Sequence, residues 1–207
     1  MRHSSEFVPE HIGQFLSGDC TVFHELIPDA LHIDVYVWAP TEQRPVWTLV
    51  TAGMSEYAMT MPAGLEGANR CELVMTLPAD WDVANIQKTP ELFWPMYVLK
   101  STARLPHDLD TWLSFGTSLQ AEEDPAAPYE GSTFSGLVVG PAVTLDNGST
   151  DSIRATNGDS FVHFWGLYPL LPSEVSAAIA EGGQPVLEKL LEAGIYEGVH
   201  PGRPAVI

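Results

Sequence analysis

Alternating apolar and polar positions mark out strands along much of the chain. In HIDVYVW (32–38), Ile33, Val35 and Val37 alternate with His32, Asp34, Tyr36 and Trp38, the two-residue period of a strand with bulky groups on both faces. VWTLVTAGM (46–54) pairs naturally with it, because APTEQRP between them is long enough for a hairpin and rich in turn residues. TVFHEL (21–26) and YAMTM (57–61) fit the same pattern. In RCELVMTL (70–77), Cys71, Leu73, Met75 and Leu77 form an apolar face opposite Glu72, Val74 and Thr76, and Pro78 ends the run. Together these segments predict an antiparallel meander. TFSGLVVGPAVTL (133–145) predicts a strand interrupted by Gly140 and Pro141, and SIRAT with its NGD turn precedes DSFVHFWGLYPL (159–170). The last is apolar at nearly every position, as expected of a mid-sheet strand buried on both faces.

A longer period governs residues 92–119, LFWPMYVLKSTARLPHDLDTWLSFGTSL. Phe93, Met96, Tyr97, Lys100 and Arg104 share one helical face, which Trp94, Val98 and Leu105 widen, so the spacing predicts a largely buried helix that breaks at Pro106. Asp108 or Asp110 is placed to cap a turn containing Thr111, Trp112 and Leu113. FVPEHIGQFLS (7–17) puts Ile12, Phe15 and Leu16 on one face, with Pro9 near the first turn and Gly18 after the last. Two helices close the chain, one capped by Ser173 and ending at Gly182, the other (184–193) bounded by Pro185 and Gly194. No internal repeat is visible.

Composition narrows the function classes. The 207 residues are 45% hydrophobic and 17% charged, enough apolar content for a sizeable core, and the length fits a single domain, 1–207. Twenty-seven Asp and Glu against 9 Lys and Arg give a formal net charge of −18. Such a surface repels nucleic-acid backbones and anionic membranes, so neither is expected as a partner; it favours solubility and attracts a basic protein. The charge is dispersed, its longest run being Glu122, Glu123 and Asp124. Cys20 and Cys71 fit no metal or redox spacing and are expected to be reduced. No signal-peptide or membrane-spanning run occurs, which sets cytoplasmic residence as the expectation and makes the Asn147-Gly148-Ser149 acceptor pattern a turn.

Five blocks in order, HIDVYV, LVTAGMS, ELVMTLPADW, WPMYVLKSTARLPH with TWL close behind, and FWGLYPLLPSE, span roughly residues 30–175. In them the chain resembles bacterial suppressor-of-fused (SUFU) domain proteins. The resemblance implies an α+β fold: a mixed, mainly antiparallel sheet packed by a central helix, with N- and C-terminal helices. It also implies a protein-binding role without enzyme activity. Animal relatives restrain zinc-finger transcription factors of the Hedgehog pathway and hold a short partner peptide as an added strand, with a second domain that this chain is too short to include. Bacterial relatives are proposed to be immunity proteins that neutralise secreted toxins, and an acidic inhibitor of a basic toxin fits the charge balance. Where many bacterial members read GHT after TWL, this chain has Gly116, Thr117 and Ser118, so no role for a histidine there carries over. Tyr57 lies near an aromatic with which animal relatives hold their peptide. Asp80 and Trp81, in the loop after a strand end, join it as candidate partner contacts.

Other constellations compete with plainer readings. Gly53-Met54-Ser55-Glu56-Tyr57 has the start of a nucleophile elbow but lacks its second glycine. His32 and Asp34, two apart on one strand face, would bind a metal if His163 joined them; otherwise they form a half-buried polar network. His107 is expected on a backbone carbonyl. Trp81, Trp94, Trp112 and Trp165 are expected in the core rather than lining a ligand pocket. The sequence therefore predicts no catalytic residue, metal or cofactor, and assigns no oligomeric state. The alternative is a small-molecule or metal-dependent enzyme using histidines on the sheet.

Overall fold

A computed structural model describes residues 1–25, 31–64, 66–145 and 154–207. The Asn147-Gly148-Ser149 pattern lies outside them. The strands are β1 (Cys20–Phe23), β2 (Asp34–Trp38), β3 (Val46–Ala52), β4 (Cys71–Pro78), β5 (Ser118–Gln120), β6 (Gly136–Pro141), β7 (Arg154–Asn157) and β8 (Ser160–Leu170). The helices are α1 (Ser4–Ile12), α2 (Pro90–Asp108), α3 (Pro172–Glu181) and α4 (Gly183–Glu192). One sheet runs β1-β2-β3-β4-β8-β6-β5, with β7 paired to β8. The antiparallel meander occupies β1 to β4, β8 sits inside the sheet as its apolar run predicts, and β4–β8 is the parallel pair that makes the sheet mixed.

Side-chain alternation sorts the core onto two faces. Val35, Leu49, Leu73, Met75, Leu137, Val139 and Leu167 pack with α2. On the other face Val50, Val74, Val162 and Phe164 meet Phe7, Val8 and Ile12 of α1, while Val138, Tyr168 and Leu170 meet α3 and α4. The β4–β8 register stops at Val74 and Gly166, and the C-terminal segment then enters between the two strands. Gly198 N–H donates to the Leu167 carbonyl (2.9 Å) and Val199 N–H to that of Thr76 (2.8 Å). Gly198 lies at φ 116°, and a Cβ there would come within 2.2 Å of Thr76 Oγ1, so only glycine fits.

Several local expectations are corrected. α2 does not break at Pro106 but winds on to Asp108: the proline forfeits one hydrogen bond in the last turn, while its ring is buried. α2 buries Trp94, Met96 and Val98 of the expected face together with Pro95, Leu99, Thr102, Ala103 and Pro106, whereas Tyr97 points outward and is 57% exposed. Small residues at 102 and 103 suit close helix–sheet contact better than the aromatic face does. Residues 57–61 form no strand, because the chain turns away from the sheet after β3 through a short 3-10 turn, Met54–Glu56. Residues 111–114 form no helix, and Trp112 is exposed. The first helix starts at Ser4 and stops at Ile12, with Pro9 inside it. Ser173 is not the cap of α3: Leu171 holds that position and its N–H donates to Glu174 Oε2 (2.8 Å).

Candidate partner-binding site

β5 is an edge strand. Leu119 faces Leu137, Val139 N–H donates to Thr117 C=O (2.8 Å) and Ala121 N–H to Ser135 C=O (2.8 Å). The Thr117 carbonyl, Leu119 and the Ala121 N–H therefore face β6, and Ser118 and Gln120 turn their backbone groups outward. Among the described residues no strand pairs with that edge. On one side of β5 a groove of about 600 Å³ runs along α2, floored by Phe93, Trp94, Leu105 and Leu119, with Tyr97 and Tyr129 on its walls. On the other a recess of about 280 Å³ is formed with Leu170 and with Val175, Ala178 and Ile179 of α3.

The groove is held from below by aromatic stacking: Trp94 lies 6.1 Å from Tyr129, nearly parallel, and 5.6 Å from Phe134. Burial pushes the Tyr129 phenol well above its ordinary range. Glu122 and Glu130 stand on the rim together with Lys88, and Glu123 and Asp124 follow directly. Chemically this is an apolar trough beside unpaired backbone donors and acceptors, with mainly acidic ends.

The residues singled out from the sequence do not converge there. Tyr57 follows β3 at the Cys71 end of β4, exposed and edge-on to His107 with centroids 6.1 Å apart. Asp80 and Trp81 follow the opposite end of β4, roughly 20 Å away along the strand. Asp80 is exposed, whereas Trp81 is half-buried, packs on the main core and donates Nε1–H to the Leu92 carbonyl (3.3 Å). The two positions cannot belong to one small patch.

Ser55 is buried and donates its hydroxyl to Glu72 (2.6 Å), so it is no exposed nucleophile. Gly53 and Ser55 also donate their N–H groups, and Thr51 its hydroxyl, to the same carboxylate. Burial nevertheless outweighs these bonds and raises Glu72 to about 7. His107 Nε2 meets the Met54 carbonyl at 3.1 Å, a structural contact. Trp165 is half-buried beside the main core, stacked on His163.

His163 does not join His32 and Asp34. Three strand steps, about 14 Å, separate β2 from β8, and His163 shares the face of Trp165 and Leu167 while Asp34 shares that of Tyr36 and Trp38. His24 takes its place instead. Its Nδ1 lies 3.0 Å from Asp34 Oδ2, and His32 Nε2 lies 2.8 Å from Asp34 Oδ1. Sequence spacing alone does not reveal this, because the approach of His24 depends on β1 pairing back onto β2. The β5 groove was equally hidden: a three-residue strand, Ser118–Gln120, preceded by Gly116 and Thr117 carries no usable period.

Residues 29–204 match the profile of the family described as Suppressor of fused protein (SUFU). The fold is similar to that of the crystal structure of a Sufu–Fu complex: TM-score 0.68, 17% identity, 99% of this chain and 92% of that one. It is similar too to a SUFU homologue from Neisseria gonorrhoeae FA 1090: TM-score 0.68, 18% identity, 99% and 97%. Drosophila Suppressor of Fused is matched at TM-score 0.66 and 18% identity, over 98% of this chain and 51% of that one. No curated protein sequence matches the chain.

Proposed function

The chain belongs to the suppressor of fused family, and on that premise we propose that it is a non-enzymatic binding module that takes up an extended segment of a partner protein on the free edge of β5. The observation that carries this reading is the outward-facing backbone of Ser118 and Gln120 between two apolar concavities. Successive side chains of an added strand point to opposite faces, so alternate residues enter the groove beside α2 and the recess beside α3 while main-chain bonds supply register. A solved Sufu–Fu complex is in keeping with a protein ligand.

The partner's chemistry follows from charge. With a net charge of −18 and Glu122 and Glu130 at the groove, the segment bound is basic at its ends. We assign the module the role of an immunity protein that binds and neutralises a basic toxin in the cytoplasm. Tyr57, Asp80 and Trp81 remain proposed outer contacts, Tyr57 at one end of β4 and the other two at the opposite end.

Gln120→Pro tests the site. It removes an outward N–H, which an edge strand tolerates, and leaves the bonds from β5 to β6 in place. Capture from the native host is expected to recover one basic protein with the wild-type chain and to lose it with Gln120→Pro, at unchanged thermal unfolding. Equal capture by a folded Gln120→Pro chain places the partner elsewhere. Co-expression with the captured protein then tests the toxin assignment: the wild-type chain rescues growth, and a captured protein harmless on its own excludes it.

A further inference from the structure

We propose that His24, His32 and Asp34 form a binding site for one divalent transition-metal ion of the zinc type, clipping the end of β1 to the start of β2. The sequence predicts no metal here, and the site does not depend on the β5 reading. One ligating atom from each of the three residues lies within 4.8 Å of the others. Around a tetrahedral zinc with bonds of about 2.0–2.2 Å, such atoms stand roughly 3.4 Å apart. The present contacts of 3.0 and 2.8 Å to the carboxylate therefore need only small movements of the two imidazoles to admit an ion.

The carboxylate is the fixed member. Asp34 is 3% exposed and accepts the Glu25 N–H at 3.1 Å. The Glu25 carboxylate in turn accepts the Ile33 N–H (3.1 Å) and is ion-paired with Arg104 of α2, which also donates to the Leu31 carbonyl (3.2 Å). Outer contacts of this kind orient a ligating side chain before the ion arrives.

The histidines supply access. Both are exposed, so an ion enters from solvent, and three protein ligands leave a position open. His32 and Asp34 also line a cleft with His3, Glu56 and Tyr57. Lys100 and Arg104 lie nearby, coupled to the Glu25 and Asp34 carboxylates, and Glu56 is paired with His3. Two imidazoles and one carboxylate select zinc, nickel, cobalt or copper over calcium and magnesium, which demand oxygen ligands. Coordination requires the ring nitrogen that meets the ion to carry no proton, so uptake is favoured as pH rises.

Isothermal titration of tag-free protein with zinc chloride tests the site, with cobalt absorption reporting imidazole coordination. One ion per chain is expected, together with a zinc-dependent rise in melting temperature. His24→Ala and His32→Ala, both exposed substitutions, each weaken zinc at least tenfold and abolish the rise, while His163→Ala leaves both intact. No zinc uptake, uptake undiminished in both the His24 and His32 variants, or displacement of zinc by excess calcium overturns the proposal.

Discussion

Arg203 grips Glu174 with both arms of its guanidinium: Nη1 donates to Oε1 and Nη2 to Oε2, each at 2.6 Å. Leu171 and Val206 add N–H donors to the same carboxylate (2.8 and 3.0 Å), and Nη2 also reaches the Pro169 carbonyl (2.9 Å). Burial raises the Glu174 carboxyl, yet these donors outweigh it and hold the group below its ordinary range. The pair ties the C-terminal tail to the first turn of α3, the helix that walls the recess beside β5.

Because both side chains are buried, removing one leaves the other unpaired. Arg203→Ala is expected to cost about 3–5 kcal/mol in urea unfolding. Arg203→Lys should recover only part of this, since lysine lacks the two-pronged geometry. Equal stability of wild type and Arg203→Ala would remove the pair from any account of the fold.

Stability should fall as pH rises through the weakly acidic range. Burial raises Glu72 and Glu197 to about 7, each against the hydrogen bonds it accepts. Between their ordinary value near 4.5 and about 7, the native state holds protons that the unfolded chain has released, so stability declines with pH there and levels off above it. The decline is on the order of 3 kcal/mol for each group. Asp34 and Glu174, both lowered, act oppositely: they stabilise above their ordinary range, and that stability is lost in stronger acid. Chemical denaturation at stepped pH should show a flatter profile for Glu72→Gln than for wild type; parallel profiles would exclude Glu72 as a source.

Trp94 serves the core and the groove at once, buried under Tyr129 while lining the trough. Trp94→Ala should destabilise by about 3–5 kcal/mol. Tyr97→Ala, on the same groove but exposed, should leave thermal unfolding nearly unchanged and weaken partner binding. Binding unaffected by Tyr97→Ala would argue that the groove is not occupied.

Rim charge should act on association. Glu130→Lys is expected to slow partner association on the order of tenfold at low salt, with little effect on dissociation. The difference should shrink as salt is raised, because the Debye length contracts. Stopped-flow rates that do not respond to salt would exclude electrostatic steering.

The meander, the buried β8 strand and the two closing helices were legible because side-chain period reports directly on which face of an element is buried. Trp94 was legible too, since a large aromatic within a helical apolar run has few places to go but inward. Other features share a local pattern with several outcomes. Residues 57–61 alternate like a strand, yet among the described backbone bonds they engage the rest of the chain through Met59 N–H to the Asn69 carbonyl (2.8 Å). On α2, the face with Phe93 and Tyr97 is as apolar as the one with Leu99 and Ala103, and sequence cannot say which one the sheet accepts.

By itself, the sequence determined the family, the α+β class and the chain's strongly acidic character, because each depends on order and composition along the chain. Only the tertiary structure decided where function can reside. Pairing across distant segments left the edge of β5 open between α2 and α3, placed Tyr57 and Asp80 at opposite ends of β4, and exchanged His163 for His24 beside Asp34. These are juxtapositions set by strand register and sheet order, and no local spacing encodes them.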